Sequence, residues 1–176
     1  LKFEQPVAEW GKRHFYMKTD EEGNRFVKMT AGPAILYSPF FFGAHAFALS
    51  SDQFEADGFS APYRLALLAA ALAYALAGIY FLKRFLQYYV SPGIASLSAV
   101  LIFAGTNIPH YSFVEPMSHV FSFALVSLIL WRFEVYRKSI ALREVLIMGL
   151  SAGLIILSRP TNILILLFPL ILFFLD

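Results

Sequence analysis

Residues 64–86 read RLALLAAALAYALAGIYFLKRFL, an apolar run that carries no charge between Arg64 and the closing Lys83-Arg84 pair. A helix needs ~20 apolar residues to cross ~30 Å of hydrocarbon, so this stretch predicts a membrane-crossing helix and sets the fold class. Working outward, the runs 89–105, 116–133, 142–158 and 161–175 approach the same length. The chain of 176 residues is 59% hydrophobic and 15% charged, with mean hydropathy +0.64, and its charges gather in the gaps between these runs. The expected architecture is all-α, a polytopic transmembrane bundle of about five spans over residues 64–176.

A sixth run, 34–49, is interrupted by Pro39, follows Pro33 and carries His45 in its middle. It predicts a helix lying at the interface or re-entering the membrane, so that residues 31–63 form this helix and an outer loop. A full span is the plainer alternative. Residues 1–30 differ in kind, with six Lys/Arg and five Asp/Glu and a turn expected at Glu22-Gly23-Asn24. They predict an extramembrane outer-loop segment. The chain opens without a methionine or a signal peptide and closes directly after an apolar run, so it is expected to be an internal piece of a longer protein. It has no cysteine, which excludes disulfides and thiolate metal sites within it.

Orientation follows from the basic residues. Lys83 and Arg84 close the first span, and Arg132, Arg137, Lys138 and Arg143 crowd the connection between the third and fourth. Short loops rich in Lys and Arg stay in the cytoplasm. The opposite loops, 50–63 with Asp52, Glu55 and Asp57, and 106–115 with neither Lys nor Arg, then face outward. The net charge of +2 is therefore a topological signal and gives no reason to expect nucleic acid as a partner.

Residues 106–119, Thr-Asn-Ile-Pro-His-Tyr-Ser-Phe-Val-Glu-Pro-Met-Ser-His, place His110, Glu115 and His119 between apolar runs. Ionisable groups in such surroundings point to a site by default. Pro116 suits the first turn of a helix, which would put Glu115 and His119 one turn apart on a common face. The pair could then share a ligand or a proton, or supply two metal ligands, although two ligands do not make a metal site. The plainer reading of Glu115 is a carboxylate complementing a helix N-terminus. His110 and Tyr111 could line the same mouth or serve as interfacial anchors. Arg159 ends the fourth run near the outer hydrocarbon boundary, where snorkelling is its plainer role. Pro160 stops the helix there, and Thr161 or Asn162 is expected to cap the next one.

Four patterns occur in a telling order: Lys28-Met-Thr-Ala-Gly-Pro-Ala-Ile-Leu-Tyr-Ser-Pro-Phe-Phe, Asp57-Gly-Phe-Ser-Ala-Pro-Tyr-Arg, Gly105-Thr-Asn through Glu115-Pro-Met-Ser-His, and Leu157-Ser-Arg-Pro-Thr-Asn. Together they resemble bacterial multi-spanning relatives of the protein O-mannosyltransferases and aminoarabinose transferases, within the GT-C superfamily of membrane glycosyltransferases. The resemblance implies a multi-pass protein of the bacterial inner membrane that moves a sugar from a polyprenyl-phosphate carrier to an acceptor on the outer face. It implies that Glu115 is the second acidic position of the family's outer loops, with His119 beside it. It also implies that Arg159 and Lys28 are basic positions meeting the donor phosphate, for which a forked guanidinium is well shaped. The family's main catalytic Asp sits soon after its first membrane helix, which here would precede Leu1, so this piece is expected to lack it. No cofactor is implied with certainty, and a divalent metal stays open.

Two other patterns are discounted. Gly149-Leu-Ser-Ala-Gly153 fits a hydrolase nucleophile elbow, but that elbow needs a strand-to-helix turn, and an apolar helix is expected here. Close packing of membrane helices is its better reading. Asp52, Glu55 and Asp57 lack the ligand spacing of a calcium loop. The principal alternative to an enzyme is a transporter or flippase of lipid-linked material, whose path the same ionisable residues would line. The expected topology has a direct test: cysteine at Ser60 should react with an impermeant thiol reagent in intact cells, and cysteine at Ser139 should not. Labelling at Ser139 alone would reverse the orientation.

Overall fold

The structure, a computed structural model, describes residues 17–19, 25–27, 30–114, 116–169 and 171. They belong to two units, residues 1–30 and 31–176. In the first unit, Met17–Thr19 (β1) and Arg25–Val27 (β2) pair antiparallel, with Met17 opposite Val27 and Thr19 opposite Arg25. That register is the one a turn at residues 22–24 would produce. The turn itself lies outside the described residues.

The regular elements of the second unit are all helical among the described residues: α1 (Ala31–Leu49), α2 (Ala61–Leu86), α3 (Pro92–Ala104), α4 (Ile108–Phe113), α5 (Ser118–Ser139) and α6 (Leu142–Ser158). A 3₁₀ segment, Pro160–Leu166, follows. By length and composition, α2 and α5 are able to cross a membrane, while α3 and the stretch Pro160–Pro169 are apolar but shorter.

Local chemistry explains the helix ends and interruptions. Pro39 lies inside α1 and cannot donate to the carbonyl of Ile35. The Ser38 hydroxyl donates to that oxygen instead, at 2.7 Å, and α1 runs on as one helix. Before α2, Asp57 Oδ1 accepts the N–H groups of Phe59 and Ser60 at 2.8 and 2.9 Å, which makes Asp57 the organiser of the turn. Gly58 within it has φ +86°, a conformation that favours glycine. The connection from α5 to α6 is so short that Ile140 takes a left-handed conformation, φ 37° and ψ 57°. That is an uncommon setting for a β-branched residue.

Helix α5 is the centre of the second unit. Tyr74 of α2 meets Phe121 of α5 edge-on at 4.8 Å, and Phe81 stacks on Trp131 at 5.6 Å, so α2 and α5 run parallel. Helix α6 returns antiparallel along α5. Helix α1 lies antiparallel to the first half of α2, with Tyr74 Oη donating to Leu36 O and Tyr37 Oη to Tyr63 O. The core cluster joins Leu36, Ala70, Phe121, Leu125, Ile129 and Ile155. Large apolar side chains nevertheless stay exposed around the bundle, among them Leu65, Leu76, Leu97, Leu101, Leu146 and Leu150.

The structure departs from the sequence reading at several places. The run 89–105 becomes a helix only from Pro92, after a turn at residues 87–89, and its 13 residues span ~20 Å rather than ~30 Å. Pro116 does not open α5, which begins at Ser118. Glu115, expected one turn from His119, lies outside the described residues. Thr161 and Asn162 are not caps, since the 3₁₀ segment begins at Pro160 and both lie inside it. The close helix packing expected of Gly149 and Gly153 is also absent among the described residues, where both face open space. The glycines that permit close approach are Gly32, whose added Cβ would collide with the Ser158 backbone, and Gly78, whose added Cβ would collide with the Phe123 ring.

This contrast generates a stability prediction. Gly32→Ala meets rigid backbone and should lower stability by about 1–3 kcal/mol, the usual range for overpacking. Gly149→Ala meets nothing and replaces a poor helix former, so it should leave stability unchanged or raise it by up to about 1 kcal/mol. Thermal unfolding of the purified variants checks both, and equal losses would mean that α1 and α6 do not approach as described.

Candidate functional site

Three of the residues singled out from the sequence converge. Arg159, immediately after α6, places Nη1 3.3 Å from Nδ1 of His119, in the first turn of α5 and 40 residues away in the chain. Arginine has no acceptor, so it is the donor and His119 Nδ1 the acceptor. That assignment puts the imidazole proton on Nε2 and makes the ring neutral. The His119 ring stacks on Tyr111 of α4 at 4.7 Å and 18°. His110 is exposed, with its ring edge-on to Tyr111 at 5.8 Å. Glu115 and Lys28 lie outside the described residues.

A second bond fixes this junction. Asn162 Nδ2 donates to Ser122 Oγ at 3.0 Å, one turn beyond His119 on α5. Arg159 and Asn162 are thus both tied to α5, one through its histidine and one through its serine. Below them Ser158 is buried, and its hydroxyl donates to Leu154 O at 2.8 Å. Sequence reading treated Asn162 as a helix cap and gave Ser122 no role. Its only available signal was a polar residue inside an apolar run.

The junction does not lie at the end of α2. Phe121 is level with Tyr74, near the middle of α2, and that helix continues for ~20 Å beyond this level to Ala61. Along α5, His119 is ~20 Å from Arg132. No carboxylate among the described residues pairs with Arg159, which is exposed and keeps its positive charge beside a neutral ring.

No family model, curated protein or solved structure matches this chain. The chemistry of the site therefore rests on its own geometry. A guanidinium held by a neutral imidazole, with an aromatic ring stacked on that imidazole, offers donors and positive charge to an anion. It is poorly suited to a metal ion: Arg159 occupies His119 Nδ1 and places a cation next to it. Among the described residues no group of three His, Asp or Glu side chains is arranged to hold one.

Two further polar groupings went unread in the sequence. His45 Nδ1 lies 2.6 Å from Tyr63 Oη, with Phe41 stacked on the histidine, which seats the middle of α1 on the start of α2. At the opposite end of α5, Glu134 and Glu144 are buried. Glu134 accepts from Tyr89 Oη at 2.5 Å and pairs with Arg137 at 3.3 Å, while Glu144 pairs with Arg132 at 3.4 Å. The signal for the Glu134 pair was present as its i, i+3 spacing to Arg137.

The Asn162–Ser122 bond should act as a unit. Asn162→Ala and Ser122→Ala should each destabilise the chain by about 0.5–1.5 kcal/mol, and the double variant should cost no more than the worse single one. A double-mutant cycle in chemical denaturation measures this. Strict additivity would mean that the two side chains do not interact.

Proposed function

We propose that this chain is part of a multi-pass membrane glycosyltransferase of the GT-C kind, using a polyprenyl-phosphate sugar donor at the outer face of a bacterial inner membrane. The observation that carries the reading is Arg159. It is a cation without a carboxylate partner among the described residues, held by a neutral His119 at a fixed turn among apolar helices. Ionisable side chains in such surroundings are costly and mark binding or transport paths. The bilayer setting is supported by two helices of crossing length and by large apolar side chains exposed around the bundle.

In this mechanism the acceptor oxygen attacks the anomeric carbon, the bond from that carbon to the phosphate oxygen breaks, and the polyprenyl phosphate departs with the bonding electrons. Arg159 neutralises the charge growing on the phosphate, and its fork can meet two phosphate oxygens. His119 acts through Arg159 by holding one guanidinium nitrogen. The base that takes the acceptor's proton is not assigned to any described residue. Glu115 and Lys28 stay in the proposal as an outer-loop acid and a second phosphate contact.

Arg159→Lys keeps the charge and loses the fork, so it should weaken donor binding partly. Arg159→Ala should weaken it by about 10- to 150-fold, the value of a charge-assisted hydrogen bond of roughly 1.5 to 3 kcal/mol. Binding of a polyprenyl-phosphate sugar to the purified protein in nanodiscs measures both. Unchanged affinity in Arg159→Ala would leave Arg159 with a snorkelling role and remove the support for the donor site.

A further inference from the structure

The far end of the bundle carries a charge excess that its own carboxylates do not neutralise. Lys83, Arg84, Arg132, Arg137, Lys138 and Arg143 stand there against Glu134 and Glu144, six cations against two anions. Both carboxylates are buried and already committed, Glu134 to Arg137 and Glu144 to Arg132. Lys83, Arg84, Lys138 and Arg143 have no carboxylate partner among the described residues.

These cations are gathered by aromatic rings rather than spread along a loop. Arg84 and Arg132 both lie over the Trp131 ring, with their guanidinium carbons 5.4 and 4.1 Å from its centre. The Lys138 ammonium sits 4.5 Å over the Tyr88 ring, in the turn that follows α2. Two buried donors of the same cluster, Trp131 Nε1 and Arg132 Nε, have no acceptor among the described residues. The surroundings are thus rich in donors and positive charge and short of acceptors. A phosphodiester is the reverse: an anion that only accepts. Apolar helix surface meets the cluster directly, so a ligand with a phosphate head and an acyl tail fits both parts at once.

We propose that Arg84, Lys138 and the Trp131 ring form a site for the headgroup of an anionic phospholipid of the membrane leaflet at this end. The inference rests on the bilayer reading above and is independent of the transferase reading. A basic cluster next to membrane helices attracts anionic lipid, and each neutralised charge is worth about five-fold in affinity.

Trp131 reports on its own site. The chain has two tryptophans, and Trp10→Phe leaves Trp131 as the fluorophore. The full chain is reconstituted into vesicles of phosphatidylcholine containing increasing brominated phosphatidylglycerol, or brominated phosphatidylcholine as the comparison. The brominated anionic lipid should quench Trp131 at a lower mole fraction. Arg84→Gln with Lys138→Gln should reduce the preference by about 20- to 30-fold, whereas Arg64→Gln, on the first turn of α2, should leave it unchanged. Equal quenching by the two lipids, or a preference untouched by the double variant, would overturn the site. If inorganic phosphate abolished the preference at matched ionic strength, the cluster would be a soluble-anion site and the lipid assignment would fall. Should the double variant fold poorly, loss of the parent's preference on raising salt supports the site, and a salt-insensitive preference overturns it. A chain that does not float with vesicles of either composition would instead overturn the bilayer reading.

Discussion

The approach of α2 to α5 at Gly78 is the contact on which the rest of the second unit depends. A side chain there would displace the Phe123 ring, so the absence of one lets the two helices meet. The ring pairs Tyr74–Phe121 and Phe81–Trp131 lie on either side of this point and set the register of the two helices. Once α5 is held, both of its ends are placed. One end presents His119 and Ser122 to the turn after α6. The other presents Glu134 to Tyr89 and Arg137.

These two ends are electrostatically opposite in character. At the Glu134 end, buried carboxylates each meet an arginine, and breaking either pair would leave a buried charge uncompensated at a cost of about 3–5 kcal/mol. The Glu144–Arg132 pair ties α5 to α6, and the Tyr89 hydroxyl on Glu134 ties it to the turn after α2, which explains why basic residues collect there without forcing the helices apart. At the His119 end the arginine meets a neutral ring, so its charge is oriented but not cancelled. A group arranged in this way contributes little to folding and is available to a ligand.

Much of the helical layout was legible because apolar runs of crossing length leave few alternatives, and α2 and α6 end where the sequence placed them. The shortening of α3 was less legible. It depends on a turn among Gln87, Tyr88 and Tyr89, residues that carry no strong turn signal, with Pro92 acting as a restart. The candidate site was legible residue by residue. His119, Arg159 and Tyr111 were each singled out, but their meeting is a tertiary fact, set by the antiparallel return of α6 along α5. Glu134 and Glu144 were not singled out for a different reason: nothing in a short connection crowded with arginines marks a carboxylate as buried, and only the tertiary packing shows that they are.

The 3₁₀ segment after Arg159 connects this packing to the chemistry of the turn. Such helices have poorer hydrogen-bond geometry than α-helices and rarely exceed three or four residues. This one runs for seven. An apolar sequence such as Ile163-Leu-Ile-Leu166 has no local reason to prefer the tighter winding, so the preference must come from contacts made elsewhere. Asn162 supplies one by reaching Ser122. Relaxation of the segment to an α-helix would rotate Asn162 relative to α5 and draw the preceding Arg159 with it. The position of Arg159, oriented but not neutralised by a carboxylate among the described residues, is therefore coupled to the winding of the segment that follows it. A ligand that holds Arg159 in place would stabilise the 3₁₀ form by the same coupling.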